Sequence, residues 1–159
     1  MNITQQIIIE RNPEIMWKIV AEEFDQAHKW MGFVTHSYQL KDSAPITNAP
    51  MFGRVCEFTD KADGLKAKEE ILSYSKDRME IIFDVVPLNT PLIFPVRKNI
   101  VTMIVSPVGK NSAQITWNAN VTLTSFGLLI FPLIKRGLSK NFAAILRDLQ
   151  QYALKNVKS

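Results

Sequence analysis

Apolar and polar residues alternate without interruption from residue 113 to residue 124. The apolar set includes Trp117, and the polar set between its members includes Asn118 and Asn120. Because successive side chains of a β-strand point to opposite faces of a sheet, this pattern predicts a strand with one buried face and one wet face. Only one register buries the apolar set, so we expect Trp117 to face the core and both asparagines to face solvent.

A different spacing holds in the C-terminal part of the chain. Apolar residues recur there at intervals of three and four, the period of one face of an α-helix, with charged residues on the opposite face. The spacing predicts a long amphipathic helix over about residues 135–156 that packs on the sheet. Pro132 is expected to kink this helix or to mark the start of its regular part. The apolar stripe consists of Leu138, Phe142, Ile145, Leu146, Leu149, Tyr152 and Ala153.

The N-terminal segment predicts one short strand and two helices. Three consecutive isoleucines at residues 7–9 favour a strand. Asn12 followed by Pro13 is typical of a helix start, with the asparagine as N-cap and the proline at the first helical position. Apolar residues then continue at helical spacing, which predicts a helix over residues 13–24 and a second short helix from Asp25.

Between these helices and residue 125, β-branched and aromatic runs alternate with turn residues, as in a meander of antiparallel strands. Asp63-Gly64 predicts a tight hairpin, and residues 87–91 predict a longer loop. The fold class is therefore α+β, a seven-stranded antiparallel sheet wrapped around a long C-terminal helix, with two short helices after the first strand. The six strands of the meander are predicted near residues 33–41, 51–59, 65–75, 78–86, 93–106 and 112–125.

Composition narrows the class of protein. The chain has 159 residues, of which 47% are hydrophobic and 21% charged, which is typical of one folded domain over residues 1–159. The net charge of +4 is spread over scattered bases rather than arginine-rich runs, so nucleic acid is not an expected partner. The longest apolar stretch, residues 126–134, is too short to span a bilayer. With one cysteine and no secretion-signal pattern, we expect a cytoplasmic protein.

Several short motifs are distributed over the predicted elements. They are Pro13 to Val20, Trp30 on the second short helix, Gly53-Arg54-Val55, Glu70-Ile71-Leu72-Ser73-Tyr74, Trp117, Pro132 to Leu138, Phe142, Leu146, Leu149 and Tyr152. Together these motifs resemble the START-like superfamily, also called SRPBCC, of polyketide cyclase/dehydrase and lipid-transport proteins, whose fold is known as helix-grip. The resemblance covers nearly the whole chain. It implies a hydrophobic cavity between the sheet and the terminal helix, although apolar faces of this kind can also close into a filled core.

Two charged residues are candidate polar groups of such a cavity. Arg54 and Glu70 lie on strands joined by the predicted hairpin, so they can form a salt bridge or hold the polar group of a ligand. Glu69 and Glu70 point to opposite faces, and the sequence leaves open which one faces inward. The candidate ligand-binding residues are Trp30, Arg54, Glu70, Tyr74, Phe83, Met103, Trp117 and Phe142, and the expected cavity volume is roughly 300–1,000 Å³.

The chain offers few candidates for catalysis. His28 and His36 lack an adjacent carboxylate or serine at a spacing that suggests a dyad, and His28 is expected to face solvent. Cys56 is expected to be buried and inert. Two isolated histidines and one cysteine do not make a recognisable ligand set, so no metal and no other cofactor is expected.

The favoured function is binding or transport of a lipid-like or polyketide-like molecule, as a monomer or a homodimer. Two alternatives remain: a cyclase or dehydratase that moves protons with Glu70, Tyr74 or a histidine, and a protein-interaction module with a filled core. The segment Gly127 to Gly137, in which apolar residues are concentrated just before Lys135-Arg136, has four interpretations. It can be a lid, a dimer surface, a site of transient membrane-surface contact, or, most simply, a segment packed under the sheet rim.

Overall fold

The computed structural model describes residues 1–41 and 43–156. These residues contain one seven-stranded sheet in which every neighbouring pair is antiparallel, with the spatial order β1-β7-β6-β5-β4-β3-β2. The predicted sheet is confirmed, although β1 is longer than expected and β2 and β3 are shorter. The strands are β1 (Asn2–Ile9), β2 (His36–Gln39), β3 (Gly53–Glu57), β4 (Lys66–Ser75), β5 (Glu80–Leu88), β6 (Val96–Gly109) and β7 (Ser112–Leu123).

The two short helices after β1 are present but less regular than predicted. Asn12 caps helix α1 (Pro13–Trp17), since its side-chain oxygen accepts a hydrogen bond from the Glu14 amide at 2.8 Å. A π-helical turn (Lys18–Glu22) continues α1, and a 3₁₀ helix (Phe24–Lys29) follows it. Trp30 terminates the 3₁₀ helix as its C-cap rather than lying within it.

Two helices follow β7 where one was predicted. Helix α2 (Ser125–Leu129) is capped by Thr124, whose hydroxyl accepts a hydrogen bond from the Gly127 amide at 3.1 Å. Helix α3 (Phe131–Asn156) begins immediately afterwards and includes the predicted range. Pro132 lies in the first turn of α3, where its missing N–H costs no hydrogen bond, so it marks the start of the regular helix.

Helix α3 lies across the inner face of the sheet and buries most of the predicted stripe, with Leu138 and Tyr152 half-buried at its two ends. The Trp117 ring of β7 packs on the Phe142 ring of α3 with centroids 5.6 Å apart, and Asn120 on the opposite face of β7 is exposed. The predicted orientation of Trp117 is therefore confirmed. Phe83 extends this packing, since its ring lies 6.0 Å from Trp117 and 5.0 Å from Phe24.

Hydrogen bonds fix α3 along the edge strand β1. The Gln5 side chain donates to the Ser139 hydroxyl at 2.8 Å, and the Gln150 side chain donates to the Ile8 carbonyl at 3.2 Å. Arg11, just beyond β1, donates to the Ala153 carbonyl at 3.0 Å. Within the described ranges, no helix is long and apolar enough to cross a membrane.

Candidate functional site

A cavity of about 190 Å³ lies between the inner face of the sheet and the first half of α3. Its walls are almost entirely apolar. It opens near the start of β6 and the first turns of α3, where Phe33 and Asn141 are exposed. The lining residues are Met31, Phe33, Val34, Cys56, Phe58, Leu65, Ala67, Glu69, Val85, Pro87, Phe94, Val96, Asn99, Trp117, Val121, Leu138, Asn141, Phe142 and Ile145.

The cavity is smaller than the range expected from the sequence. The reason is aromatic packing at its inner end, where Phe24, Phe83 and Trp117 are at most 4% exposed and Phe83 contacts the other two rings. Met103 is 2% exposed and belongs to the same core. The interior is thus divided into a filled half and an open half. The sequence allowed either a cavity or a filled core between the sheet and the helix, and each is found in part of the interior.

The inward-facing carboxylate belongs to Glu69. Strands β3 and β4 pair Arg54 with Glu69, and both side chains are buried. The Arg54 Nε and Nη2 atoms each lie 2.7 Å from Glu69 Oε2, and Nη1 donates to the Phe24 carbonyl at 2.6 Å. The Arg54 guanidinium also stacks 3.9 Å from the Phe24 ring centroid.

Glu70 points to the opposite face of the sheet and lies 2.7 Å from the Lys68 ammonium. Arg54 lies behind Glu69 and does not line the cavity. The polar wall group that the sequence placed at Arg54 or Glu70 is therefore Glu69. The alternation of β4 made both glutamates eligible, and only pairing with β3 and β5 separates them.

Burial controls the protonation of this group of residues. Burial raises the pKa of the Glu69 carboxyl, and the Arg54 guanidinium opposes the rise. Burial acts to lower the pKa of Arg54, but the adjacent Glu69 carboxylate, together with Cys56 and Asp25, opposes it and the net change is upward. Burial, with the nearby Glu69 charge, raises the pKa of the Cys56 thiol to about 12. Cys56 is thus a neutral thiol at physiological pH, as expected for an inert cysteine.

Two further polar groups of the cavity wall lack hydrogen-bond partners among the described residues. They are Oδ1 of Asn99, a residue only 7% exposed, and Nε1 of Trp117. Asn99 occupies an inward position of β6, in alternation with Val101 and Met103. Sequence reasoning missed Asn99, although a polar residue at an inward position of a strand was available as a clue.

The remaining predicted site residues lie elsewhere. Trp30, Phe83 and Met103 belong to the filled core and do not line the cavity. Tyr74 packs on Trp17 with ring centroids 5.2 Å apart and borders a separate polar hollow at the surface. Of the eight candidates, Trp117 and Phe142 line the cavity.

Both histidines lie at the surface and away from the cavity. The His28 Nδ1 atom lies 2.8 Å from the Ser37 hydroxyl, and the His36 Nε2 atom lies 3.2 Å from Asp60 Oδ1. These partners are distant in sequence, so spacing along the chain did not indicate them. In the part of the chain that the structure describes, no group of three or more His, Cys, Asp or Glu residues is placed to hold a metal ion.

An exposed apolar surface borders the cavity opening, and we call it the mouth face. Its exposed leucines contradict the simplest interpretation of the segment Gly127 to Gly137, which was packing under the sheet rim. The mouth face has two parts, one on the loop before β6 and one on α2 and the start of α3. Thr124 joins them, because its amide donates to the Pro95 carbonyl at 3.0 Å and its hydroxyl to the Phe94 carbonyl at 2.9 Å. The mouth face consists of Leu92, Ile93, Leu128, Leu129 and Leu133, which are 64% or more exposed.

Gly127 holds the two parts of the mouth face close together. A Cβ atom on Gly127 would lie 2.1 Å from the Pro95 carbonyl oxygen, a separation that real side chains do not adopt. The close approach brings α2 against the loop before β6. The mouth face is therefore a built surface rather than a loose end of the chain.

The sequence around the mouth face has a strong charge bias. Residues 85–147 contain seven basic residues and not one aspartate or glutamate, whereas the whole chain has a net charge of only +4. Among the bases, Lys135, Arg136 and Lys140 are exposed on the first turns of α3. This excess of basic residues is visible in the local sequence but not in the net charge of the whole chain. The fold places some of these bases beside the cavity opening.

A sheet that grips a C-terminal helix, with an apolar cavity between them, defines a START-like protein of the helix-grip type. The sequence matches the family described as "Polyketide cyclase / dehydrase and lipid transport" over residues 1–154. The chain belongs to this family. No curated protein matches it significantly.

Solved structures with the same fold are distant in sequence. A START superfamily protein from Mycobacterium smegmatis has 11% identity and a TM-score of 0.77, covering 98% of this chain and 99% of its own. Norcoclaurine synthase from Thalictrum flavum, in complex with dopamine and hydroxybenzaldehyde, has 15% identity and a TM-score of 0.66, covering 100% and 89%. Major latex-like protein 151 from Panax ginseng has 12% identity and a TM-score of 0.65, covering 96% of each chain.

Proposed function

We propose that this protein binds and carries a hydrophobic small molecule in the cavity between the sheet and α3. The observation that carries the proposal is the cavity itself, an apolar space with a few polar groups at fixed positions, which is the usual composition of a small-molecule site. Membership of a family described by cyclisation, dehydration and lipid transport agrees with it. The volume of about 190 Å³ favours a compact ligand, or the leading part of a longer one.

Displacement of a bound dye tests this proposal. An environment-sensitive apolar dye should bind the wild type with enhanced fluorescence, and Phe142→Trp should abolish the enhancement because the larger ring fills the cavity. Leu72→Trp adds an equivalent ring to an exposed position of β4 and serves as the matched control. Equal dye binding by wild type and Phe142→Trp would contradict the proposal and favour a protein-interaction module with a filled core.

We propose further that the ligand is exchanged at an anionic membrane surface. The mouth face presents leucine and isoleucine side chains beside the cavity opening, and exposed bases flank it on α3. Apolar side chains that insert at the headgroup boundary, together with bases that attract anionic lipids, are the two terms that bind a protein to such a surface. The ligand would then pass between bilayer and cavity without crossing water.

Sedimentation with vesicles tests membrane docking. Binding to vesicles of phosphatidylcholine and phosphatidylglycerol should exceed binding to phosphatidylcholine alone. Leu133→Asn should weaken binding roughly tenfold, the effect of losing one leucine side chain that becomes buried in the bilayer on docking. Leu154→Asn alters an exposed leucine far from the opening on the same helix and should change little. Equal losses for both variants would remove the mouth face as the docking surface.

A second candidate function, catalysis in the same cavity, is favoured by Glu69. Burial raises the pKa of this carboxyl, and the residue lines the cavity, as expected of a general acid or base. A base at this position would abstract a proton next to the carbonyl of a bound ketone. Deuterium exchange into 2-tetralone, followed by NMR, should then be accelerated by the wild type and not by Glu69→Gln. Equal exchange with both proteins would contradict catalysis by Glu69, and the carrier function would then be the only one of the two that remains.

A further inference from the structure

The polar atoms of the cavity lie in one row across the sheet. Strand β5 pairs with β6 through Val85 and Asn99, and Asn99 pairs with Val121 of β7. Lys68 and Ile71 of β4 pair with Val86 and Phe83 of β5, which puts Glu69 level with Val85. Glu69 and Asn99 are therefore two strands apart, or roughly 10 Å between backbones, with the short Val85 side chain between them.

Part of the hydrogen-bonding capacity of this row is unused. Glu69 already has two partners, because Arg54 contacts its Oε2 and the Cys56 thiol hydrogen-bonds with its carboxyl. The Asn99 side chain makes no hydrogen bond within the described residues, and its Oδ1 is buried. A buried amide oxygen without a donor is costly. A bound molecule that supplies donors at this row would remove the cost.

The same atoms select against an anionic group. Arg54 is the nearest cation, but its Nε and Nη2 are directed at Glu69 and its Nη1 at the Phe24 carbonyl. A ligand carboxylate at the row would therefore meet the Glu69 charge and the Asn99 oxygen without a free cation. A hydroxyl both donates and accepts, so it satisfies the Asn99 amide in either orientation of that amide.

We propose that Glu69 and Asn99 recognise a neutral hydroxyl group, alcoholic or phenolic, on an otherwise apolar and compact ligand, and that the site rejects the corresponding carboxylate. The proposal rests on the proposed function, since it specifies the chemistry of the molecule held in the same cavity. The Trp117 indole N–H, also without a partner, is available to a second oxygen of the ligand.

Three probes of one shape test the proposal: naphthalene, 2-naphthol and 2-naphthoate, titrated by calorimetry at neutral pH. The wild type should bind 2-naphthol roughly 2- to 10-fold more tightly than naphthalene, the net effect of one hydrogen bond. It should bind 2-naphthoate at least roughly tenfold more weakly than 2-naphthol, because a buried carboxylate without a cation is unfavourable.

Variants locate the effect. Asn99→Leu, with a side chain of similar size, should abolish the preference for 2-naphthol over naphthalene and leave naphthalene binding intact. Asn141→Leu changes the other asparagine of the cavity wall, which is exposed at the opening, and should keep the preference. Retention of naphthalene binding also shows that Asn99→Leu is folded.

The outcomes separate the polar row from the function on which it rests. Equal binding of naphthalene and 2-naphthol to the wild type, or tightest binding of 2-naphthoate, would overturn the row as a hydroxyl site and leave the carrier function standing. A preference that survives Asn99→Leu would overturn the role of Asn99. Failure of all three probes to bind, together with no dye binding, would overturn the carrier function and the polar row together.

Discussion

At the scale of single residues, Glu69 lies in the cavity wall and Arg54 lies behind it. This arrangement determines which polar groups the wall presents to a ligand. The Arg54 side chain is almost fully buried, and each of its donor atoms named above is paired with Glu69 or with the Phe24 carbonyl. The cation thereby neutralises the buried carboxylate without becoming available to a ligand. The inner wall of the cavity keeps the Glu69 carboxylate, the Asn99 amide and the Trp117 indole N–H as its polar groups.

Removing one member of this pair should be strongly destabilising. Arg54→Met leaves the Glu69 carboxylate buried without its cation, so urea denaturation at pH 7 should show a loss of about 3–5 kcal/mol in the free energy of unfolding. The double variant Arg54→Met, Glu69→Leu should recover much of the loss. Glu80→Gln breaks the exposed pair with Arg78 and should cost less than about 1 kcal/mol. If Arg54→Met lost no more free energy of unfolding than Glu80→Gln, the burial of the Arg54–Glu69 pair would be contradicted.

The Cys56 thiol should make stability fall at alkaline pH. Its pKa is raised from 9.0 to about 12, so above pH 9.0 the unfolded chain releases this proton while the folded chain retains it. Stability that is fully present below pH 9.0 is then lost as pH rises, by up to about 1.4 kcal/mol per pH unit. The difference in unfolding free energy between wild type and Cys56→Ala should therefore shift against the wild type from pH 9 to pH 11. A constant difference would show that the thiol is accessible to solvent.

At the scale of elements, β7 connects the sheet to α3. Strand β7 pairs with both β1 and β6, and its inner face meets α3 through Trp117 and Phe142. This contact helps to close the inner end of the cavity and, with the hydrogen bonds along β1, holds the helix on the sheet. Helix α2, by contrast, buries little more than Gly127 and leaves its leucines in solvent.

Truncating Trp117 should test this contact. Trp117→Ala should lower the free energy of unfolding by about 3–5 kcal/mol, the range for a buried large aromatic side chain, and should enlarge the cavity. Leu129→Ala in α2 removes an exposed side chain and should change stability by less than about 0.5 kcal/mol. Urea denaturation measures both, and a loss below about 1 kcal/mol for Trp117→Ala would show that the ring is not part of the core.

At the scale of the whole molecule, the cavity, its opening and the basic part of the chain are arranged at one end of the sheet. The opening lies at the start of β6, beside the mouth face and the exposed bases of α3. The filled core of Phe24, Phe83 and Met103 lies deeper in the structure. Ligand binding should therefore stabilise the folded protein without requiring the core to open.

A bound probe should raise the melting temperature. At 100 times its dissociation constant, 2-naphthol should add about 2.7 kcal/mol to the stability of the wild type, because it binds only the folded state. For a chain of this length, that corresponds to a rise of roughly 5–10 °C in Tm. Phe142→Trp, whose cavity is filled, should show no rise in calorimetric scans. An equal rise in both proteins would mean that 2-naphthol binds outside the cavity.

The sequence by itself determined the seven-stranded sheet, the register of β7 and the long helix. Each of these follows from the spacing of apolar residues within one segment, and burying one face of a strand or helix permits only one orientation. Trp117 and Phe142 were identified as interior residues for the same reason, whereas the cavity itself was expected only from the family resemblance. Asn99 was accessible to the same argument, since it occupies an inward position of β6.

Only the tertiary structure decided the size of the cavity and the polarity of its wall. The volume of about 190 Å³ depends on how rings from the 3₁₀ helix, β5, β7 and α3 interdigitate. The choice between Glu69 and Glu70 depends on the pairing of β4 with β3, which places Glu69 against Arg54. Packing and pairing join residues that are distant along the chain, and a pattern within one segment carries no information about the partner that it will meet.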